Sequence, residues 1–231
     1  MMPTRLLRTD TIANIADFGA VPNINDAPTR AANALAFRSA LGTAAGGPRR
    51  ISVPAGTWYF QQIMYLNNVW LPGNIEIFGE GRERTFLRYV PTDNTIPAFQ
   101  FISGAAPLSR GIIRDLQLIG PVTPSLGVPA VGVGVRLLNT QLNCLRDLEI
   151  WNFEVGIDFP AGFTGYTAIE RFEINACRTG IRMRDGSNGA LISSGRILGS
   201  LARVGSGIPP VNPAPRRLDG RVTARSHHPE Q

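Results

Sequence analysis

The tetrad Asp147-Leu-Glu-Ile150 returns 24 residues later as Arg171-Phe-Glu-Ile174, and Gly156-Ile-Asp-Phe159 returns after the same interval as Gly180-Ile-Arg-Met183. Two independent tetrads sharing one spacing mean that the backbone revisits an equivalent position once per repeat. Each tetrad alternates apolar and polar residues, the period of a strand with one buried face, so every interval holds two short strands. That combination points to a parallel β-helix; leucine-rich repeats have a similar length, but their Leu and Asn framework is missing. The register extends backwards with slack. Gly134-Val-Arg-Leu137 precedes its counterpart by 22 residues, while Asp115-Leu-Gln-Leu118 precedes Asp147-Leu-Glu-Ile150 by 32, and the excess fits an insertion around Pro121 to Pro129. Forwards, Ser194 to Leu198 matches less well.

Upstream of the repeats, short β-prone runs at 51–53, 57–60, 75–78, 85–90 and 99–102 are separated by turn residues, in keeping with 25 glycines and 18 prolines among 231 residues. One substantial helix is expected. Residues 11–21 read as a strand entering a turn, and Asp26-Ala-Pro-Thr29 supplies a cap and an early proline for a helix through Ala32 to Ala45. Its buried stripe is expected at Leu35, Phe37, Ala40 and Leu41, and Gly46-Gly47-Pro48 stop it. The chain divides into an N-terminal segment (1–11), a β-domain opened by the helix (12–202), and a basic, proline-rich tail (203–231) that lacks apolar alternation and reads as unstructured. With no capping segment apparent after the last repeat, that end would leave a sheet edge open.

The net charge of +6 comes entirely from arginine, since there is no lysine. Five arginines against Asp219 and Glu230 put half of the excess in the tail, and the body is only mildly basic. Without interleaved aromatic residues the tail does not read as a nucleic-acid interface, so no nucleic-acid partner is expected. No apolar run reaches membrane-spanning length, so no membrane partner is expected, and no apolar segment follows Arg5 and Arg8 to make an ordinary secretory signal. Cys144 and Cys177 read as buried thiols rather than as a disulfide framework or zinc site. His227 and His228 have no acidic or cysteine partners at ligand spacing.

The segments Ala16-Asp-Phe-Gly-Ala20, Ala44-Ala-Gly-Gly47, Ile51-Ser-Val-Pro-Ala-Gly-Thr-Trp-Tyr59 and Gly79-Glu-Gly81 resemble the opening of the pectate-lyase superfamily, in its rhamnogalacturonase-like and tailspike-like branch. The resemblance covers roughly residues 12–200. It implies an all-β, right-handed parallel β-helix with an N-terminal capping helix, a polysaccharide partner, an extracellular or virion setting and, by likeness to tailspikes, a homotrimer. Lyases, hydrolases and virion adhesins share this opening. The acidic turn of that family is replaced here by Pro22-Asn-Ile-Asn-Asp26. The pectinase-type Asp pair, His-Gly and Arg-x-Lys set is excluded, because there is no lysine and no histidine before residue 227.

In a parallel stack, positions one repeat apart lie about 4.8 Å from each other, so Glu149 and Glu173 are expected to stack. Paired carboxylates repel, which raises one pKa or draws a cation such as calcium, and general acid/base pairs arise in this way. Glu149, Glu173 and Arg171 are therefore the candidate catalytic residues, and no metal ligand set is assigned. Arg171 over Asp147, and Asp158 between Arg136 and Arg182, are expected as salt-bridged rungs that fix register. Arg182, Arg184 and Trp151 are the candidate substrate-binding residues, the arginines clamping a uronate carboxylate and the indole stacking on a sugar. An arginine near the sugar could alternatively act as the base of a lyase. Trp58, Tyr59, Tyr65 and Trp70 are further stacking candidates, and Gly79-Glu-Gly81 reads as a turn rather than a phosphate loop.

Overall fold

The computed structural model describes residues 12–41, 50–61, 64–66, 75–93, 95–102, 111–121, 131–162, 164–184, 187–188, 190–198, 216–218 and 222–224. Strands dominate, and almost every pairing is parallel. Each repeat contributes up to three main strands, and two repeats add a short fourth, Thr164–Gly165 paired with Ser187–Asn188. First strands run Ile12–Asn14, Arg50–Ser52 and Ile75–Phe78, then the N-terminal parts of Gly111–Ile119 and Cys144–Trp151, then Ala168–Glu170 and Ala190–Ser193, each pairing with the next. Second strands comprise Gly56–Phe60, Thr85–Tyr89, the C-terminal parts of the two long strands, Glu173–Asn175 and Gly195–Ile197. Third strands form a separate sheet in the order Thr179–Met183, Val155–Phe159, Val133–Leu138, Phe99–Ile102 and Met64–Leu66.

The register obeys the sequence repeat. Ile150 pairs with Ile174 and Leu148 with Leu116, so the 24-residue spacing and the longer one across the insertion both end in aligned rungs. Ile197 continues the row from Ile174, although its sequence match is weak. These residues, with Leu87 and Leu118, point inward and pack with Phe153, Ile157 and Phe159. Each such buried side chain stabilises the fold by roughly 1.5–3 kcal/mol.

A single backbone feature separates first from second strands. Asp115, Asp147, Arg171 and Ser194 have φ of 58°, 49°, 46° and 53°, so each of these four repeats bends through one left-handed residue at the same place. The glycines of the other tetrad have a packing reason. A Cβ on Gly156 would sit 2.7 Å from the Gly180 carbonyl oxygen and 3.0 Å from Ile174 Cγ2. Gly134 and Gly180 face Ile150 and Ile197 in the same way.

The helix spans Ala27–Leu41, beginning directly after the cap that the sequence offers. Asp26 caps it by accepting from Thr29 N at 2.7 Å. Phe37 packs edge-on against Phe60 and Phe99, with centroids 5.1 and 6.4 Å away. Buried Asn33 accepts from Val21 N and donates to the carbonyls of Val21 and Tyr59. Leu35 does not join this face. It is 62% exposed, because two residues along a helix point to nearly opposite sides and Phe37 takes the inner one. The side chain of Leu41 and the stop at 46–48 lie outside the described residues.

Cys177 is buried and Cys144 half-buried, both free; burial pushes the Cys177 thiol up to about 12. Gly79-Glu-Gly81 is a turn, closed by Glu80 N donating to Thr85 Oγ1. Most of the tail lies outside the described residues. Two of its segments, Arg216–Leu218 and Val222–Ala224, pair antiparallel with Gly195–Ile197 and Ala190–Ser193, so the chain itself lines the edge that the sequence leaves open. Among the described residues no helix is long and apolar enough to cross a membrane.

Candidate functional site

Because Trp58, Leu87, Leu118, Ile150 and Ile174 point inward, their neighbours on the second strands point out. This outer face carries two parallel rows. One reads Thr57, Phe86, Gln117, Glu149, Glu173, Arg196, and the other Tyr59, Arg88, Ile119, Trp151, Asn175. Glu149 and Glu173 are direct rung partners, as the repeat requires.

Their surroundings differ. Glu149 Oε2 accepts from Gln117 Nε2 at 2.9 Å, and Oε1 lies 3.7 Å from Arg82 Nη1. Burial, opposed by Arg82 and reinforced by the charges of Glu173 and Glu83, holds the Glu149 carboxyl above its ordinary pKa. Glu173 is forked by Arg196, with Nη2 at 2.6 Å and Nε at 2.8 Å from Oε2. Side-chain exposures of 16% and 11% keep both carboxyls largely out of bulk water. The result is an unequal pair, Glu149 raised in pKa with Arg82 at 3.7 Å and Glu173 gripped by Arg196 at 2.6 Å, and unequal surroundings of this kind are what acid/base carboxyl pairs use.

The cations at the pair are Arg82 and Arg196, neither of which the sequence reading named. Arg196 has a signal in hindsight, being one repeat beyond Glu173. Arg82 has none, because it comes from the turn two repeats before Glu149 and reaches across the rung of Gln117.

Arg171 is placed elsewhere. Its left-handed backbone sets it on the bend, where Nε and Nη2 grip both Asp147 oxygens at 2.8 and 2.7 Å. That grip holds the Asp147 carboxyl below its ordinary range. Arg182 lies on the third strands and is bound to Asp158 Oδ1 at 2.7 Å, while Arg136 holds Oδ2 at 3.0 Å. Asp158 is 1% exposed; burial opposes its charge, but the two arginines outweigh it and its pKa is lowered. The two expected salt-bridged ladders are thus both present. Arg184 is exposed just beyond the third strand Thr179–Met183, away from the glutamates.

Trp151 shares the glutamate face, half-buried, with its indole Nε1 buried and unpartnered. Tyr59 is on the same face, whereas Trp58 is core and donates to the Pro54 carbonyl. Trp70 and the side chain of Tyr65 lie outside the described residues. Among the described residues, no three His, Cys, Asp or Glu side chains are grouped closely enough to hold a metal ion.

No protein-family model matches the chain, and no curated protein does. Solved structures do. Tailspike protein 3 of bacteriophage CBA120 aligns over 80% of this chain and 29% of its own, with a TM-score of 0.53 at 18% identity. The chain shares its fold with a phage tailspike. ORF18 of Geobacillus virus E2 aligns over 77% of this chain and 40% of its own, with a TM-score of 0.49 at 17% identity. The Agl-KA catalytic domain covers 85% of this chain and 49% of its own, with a TM-score of 0.34 at 16% identity. The chain therefore spans less than half the length of each of these neighbours.

Proposed function

We propose that this chain is a right-handed parallel β-helix of the pectate-lyase superfamily type, its helix covering the first repeat, and that it acts on an acidic polysaccharide through Glu149 and Glu173. The observation that carries the reading is the asymmetry of that pair. Glu149, with its raised pKa, is the general acid that protonates the departing glycosidic oxygen. Glu173, paired with Arg196, is the carboxylate that stabilises or attacks the sugar cation. Adjacent rungs place the two backbones about 4.8 Å apart. That spacing suits the close carboxyl pair of a retaining glycosidase, about 5–5.5 Å, better than the wider inverting arrangement.

Hydrolysis is favoured over β-elimination driven by Arg171 or Arg182, because each of these guanidinium groups is hydrogen-bonded to a carboxylate. A second reading, a glycan-binding adhesin without turnover, is supported by the tailspike fold and by the aromatic residues on the glutamate face. A homotrimer belongs to either reading. The test is an acidic-polysaccharide panel, scored for new reducing ends and for ultraviolet-absorbing unsaturated uronates. New reducing ends without that absorbance, lost in Glu149→Gln, support hydrolysis; retention on glycans with neither product supports the adhesin.

A further inference from the structure

The glutamate pair occupies only part of its face. Nearer the N-terminus the same two rows present Thr57, Tyr59, Phe86 and Arg88, with Tyr59 and Phe86 half-buried and Arg88 exposed. Arg88 differs from most arginines of the repeats. Arg50, Arg82, Arg84, Arg114, Arg136, Arg171, Arg178, Arg182 and Arg196 all have a carboxylate within ion-pair distance. Arg88 has neither ion pair nor side-chain hydrogen bond among the described residues. It stands in register with Ile119, which is in register with Trp151, so it lies two rungs, about 10 Å, from the indole along the stacking direction.

The rung spacing is close to the advance of one pyranose unit in a β-1,4-like chain. A glycan lying along the rows would meet one repeat per sugar. Aromatic faces at Tyr59, Phe86 and Trp151 suit the apolar faces of pyranose rings, and an unpaired guanidinium suits a carboxylate, which it can hold bidentately.

We propose that Arg88 binds the carboxylate of a uronate seated on this face two repeats before Trp151. The inference rests on the glycan-directed reading above and adds to it a residue that selects acidic sugars. It does not depend on turnover, because such a contact serves an adhesin equally well.

The experiment uses the full chain carrying Glu149→Gln, so that no substrate is consumed, with and without Arg88→Gln. Both are applied to an array of uronate-containing, sulfated, carboxyl-reduced and neutral oligosaccharides. The expected result is retention on uronate glycans that falls at least tenfold with Arg88→Gln, while retention on their carboxyl-reduced counterparts is unchanged. Tyr59→Ala should weaken both. Since Arg88 is exposed and has no ion pair among the described residues, its variant should melt at the parent temperature, which separates lost binding from lost folding. Equal retention by the two proteins, retention on sulfated glycans alone, or no retention by either overturns the proposal. Arg88-dependent retention by a wild-type chain that releases no reducing ends would instead overturn only the catalytic role of the glutamates.

Discussion

Ile174 stands one rung above Ile150 inside the stack, and its Cγ2 comes within 3.0 Å of the point where Gly156 would carry a Cβ. The two repeated tetrads are thus two sides of one contact, which the isoleucine fills and the glycine leaves room for.

Gly156→Ala should accordingly be costly. The added methyl meets the Gly180 carbonyl oxygen at 2.7 Å, and a paired strand cannot shift to make room without breaking its ladder. A loss of about 3 kcal/mol is expected, at the upper end of overpacking penalties. For a chain of this size it would appear as a fall in Tm of roughly 6–12 °C. An unchanged melting curve would show that the close packing of the tetrads is not what stabilises the repeat.

Asp158→Asn removes the carboxylate shared by Arg136 and Arg182. Breaking a buried pair typically costs about 3–5 kcal/mol, and because both arginines are partly exposed a smaller loss, about 2–3 kcal/mol, is expected here. The sign with pH follows from the lowered pKa. The contribution is present above the ordinary carboxylate range and is lost as pH falls through the folded value. Urea unfolding at pH 7, 5 and 3 should show the variant's deficit shrinking with acid.

Glu149→Gln should separate stability from activity. The raised pKa means that the ionised carboxyl is disfavoured in the fold. Its contribution is favourable below the unfolded value and is lost as pH rises through the folded one, so the variant should gain on wild type in going from pH 4 to pH 7. Glycan cleavage should fall by about 10²–10⁴, the usual worth of a general acid, and any activity should have an alkaline limb that the variant lacks. A variant that keeps full turnover would remove Glu149 from the mechanism.

Arg171 occupies the left-handed region and also grips Asp147. Arg171→Gly loses an exposed, solvent-screened ion pair and relieves the left-handed backbone strain, two small and opposing effects, so it should lie near wild type. Arg171→Val loses the pair and adds roughly 1–2 kcal/mol of strain. The order Gly above Val in chemical denaturation is the outcome to look for; the reverse order would mean that the bend does not need its left-handed residue.

Much of the stacking was legible because strand alternation and the 24-residue interval constrain the same residues twice. Once Ile150 lies on Ile174, Glu149 must lie on Glu173, and the Asp147–Arg171 and Asp158–Arg182 rungs follow. The sequence is less informative where position depends on direction rather than spacing. Leu35 looked like a core residue because it is apolar, yet its angle around the helix turns it outward. Arg171 is two residues from a glutamate, but its own backbone sends it to the bend. Arg82 reaches Glu149 from a turn with no periodicity, so nothing in the linear order announces it. The strands near residues 217 and 223 run antiparallel to those they pair with, outside any repeat that could signal them.

At each bend two successive side chains face away from the interior, as with Arg146 and Asp147 between Leu145 and Leu148. Deleting Asp147 would leave the in-out alternation of Cys144–Trp151 intact, so an amphipathic profile would register no defect. What would vanish is the corner, and a straight ribbon would run on past the place where the chain must turn to close around Phe153. That corner is therefore carried by one torsion angle per repeat and not by the hydrophobic pattern, and the left-handed pairs Leu142/Tyr166 and Asn152/Ala176 mark further corners of the same kind.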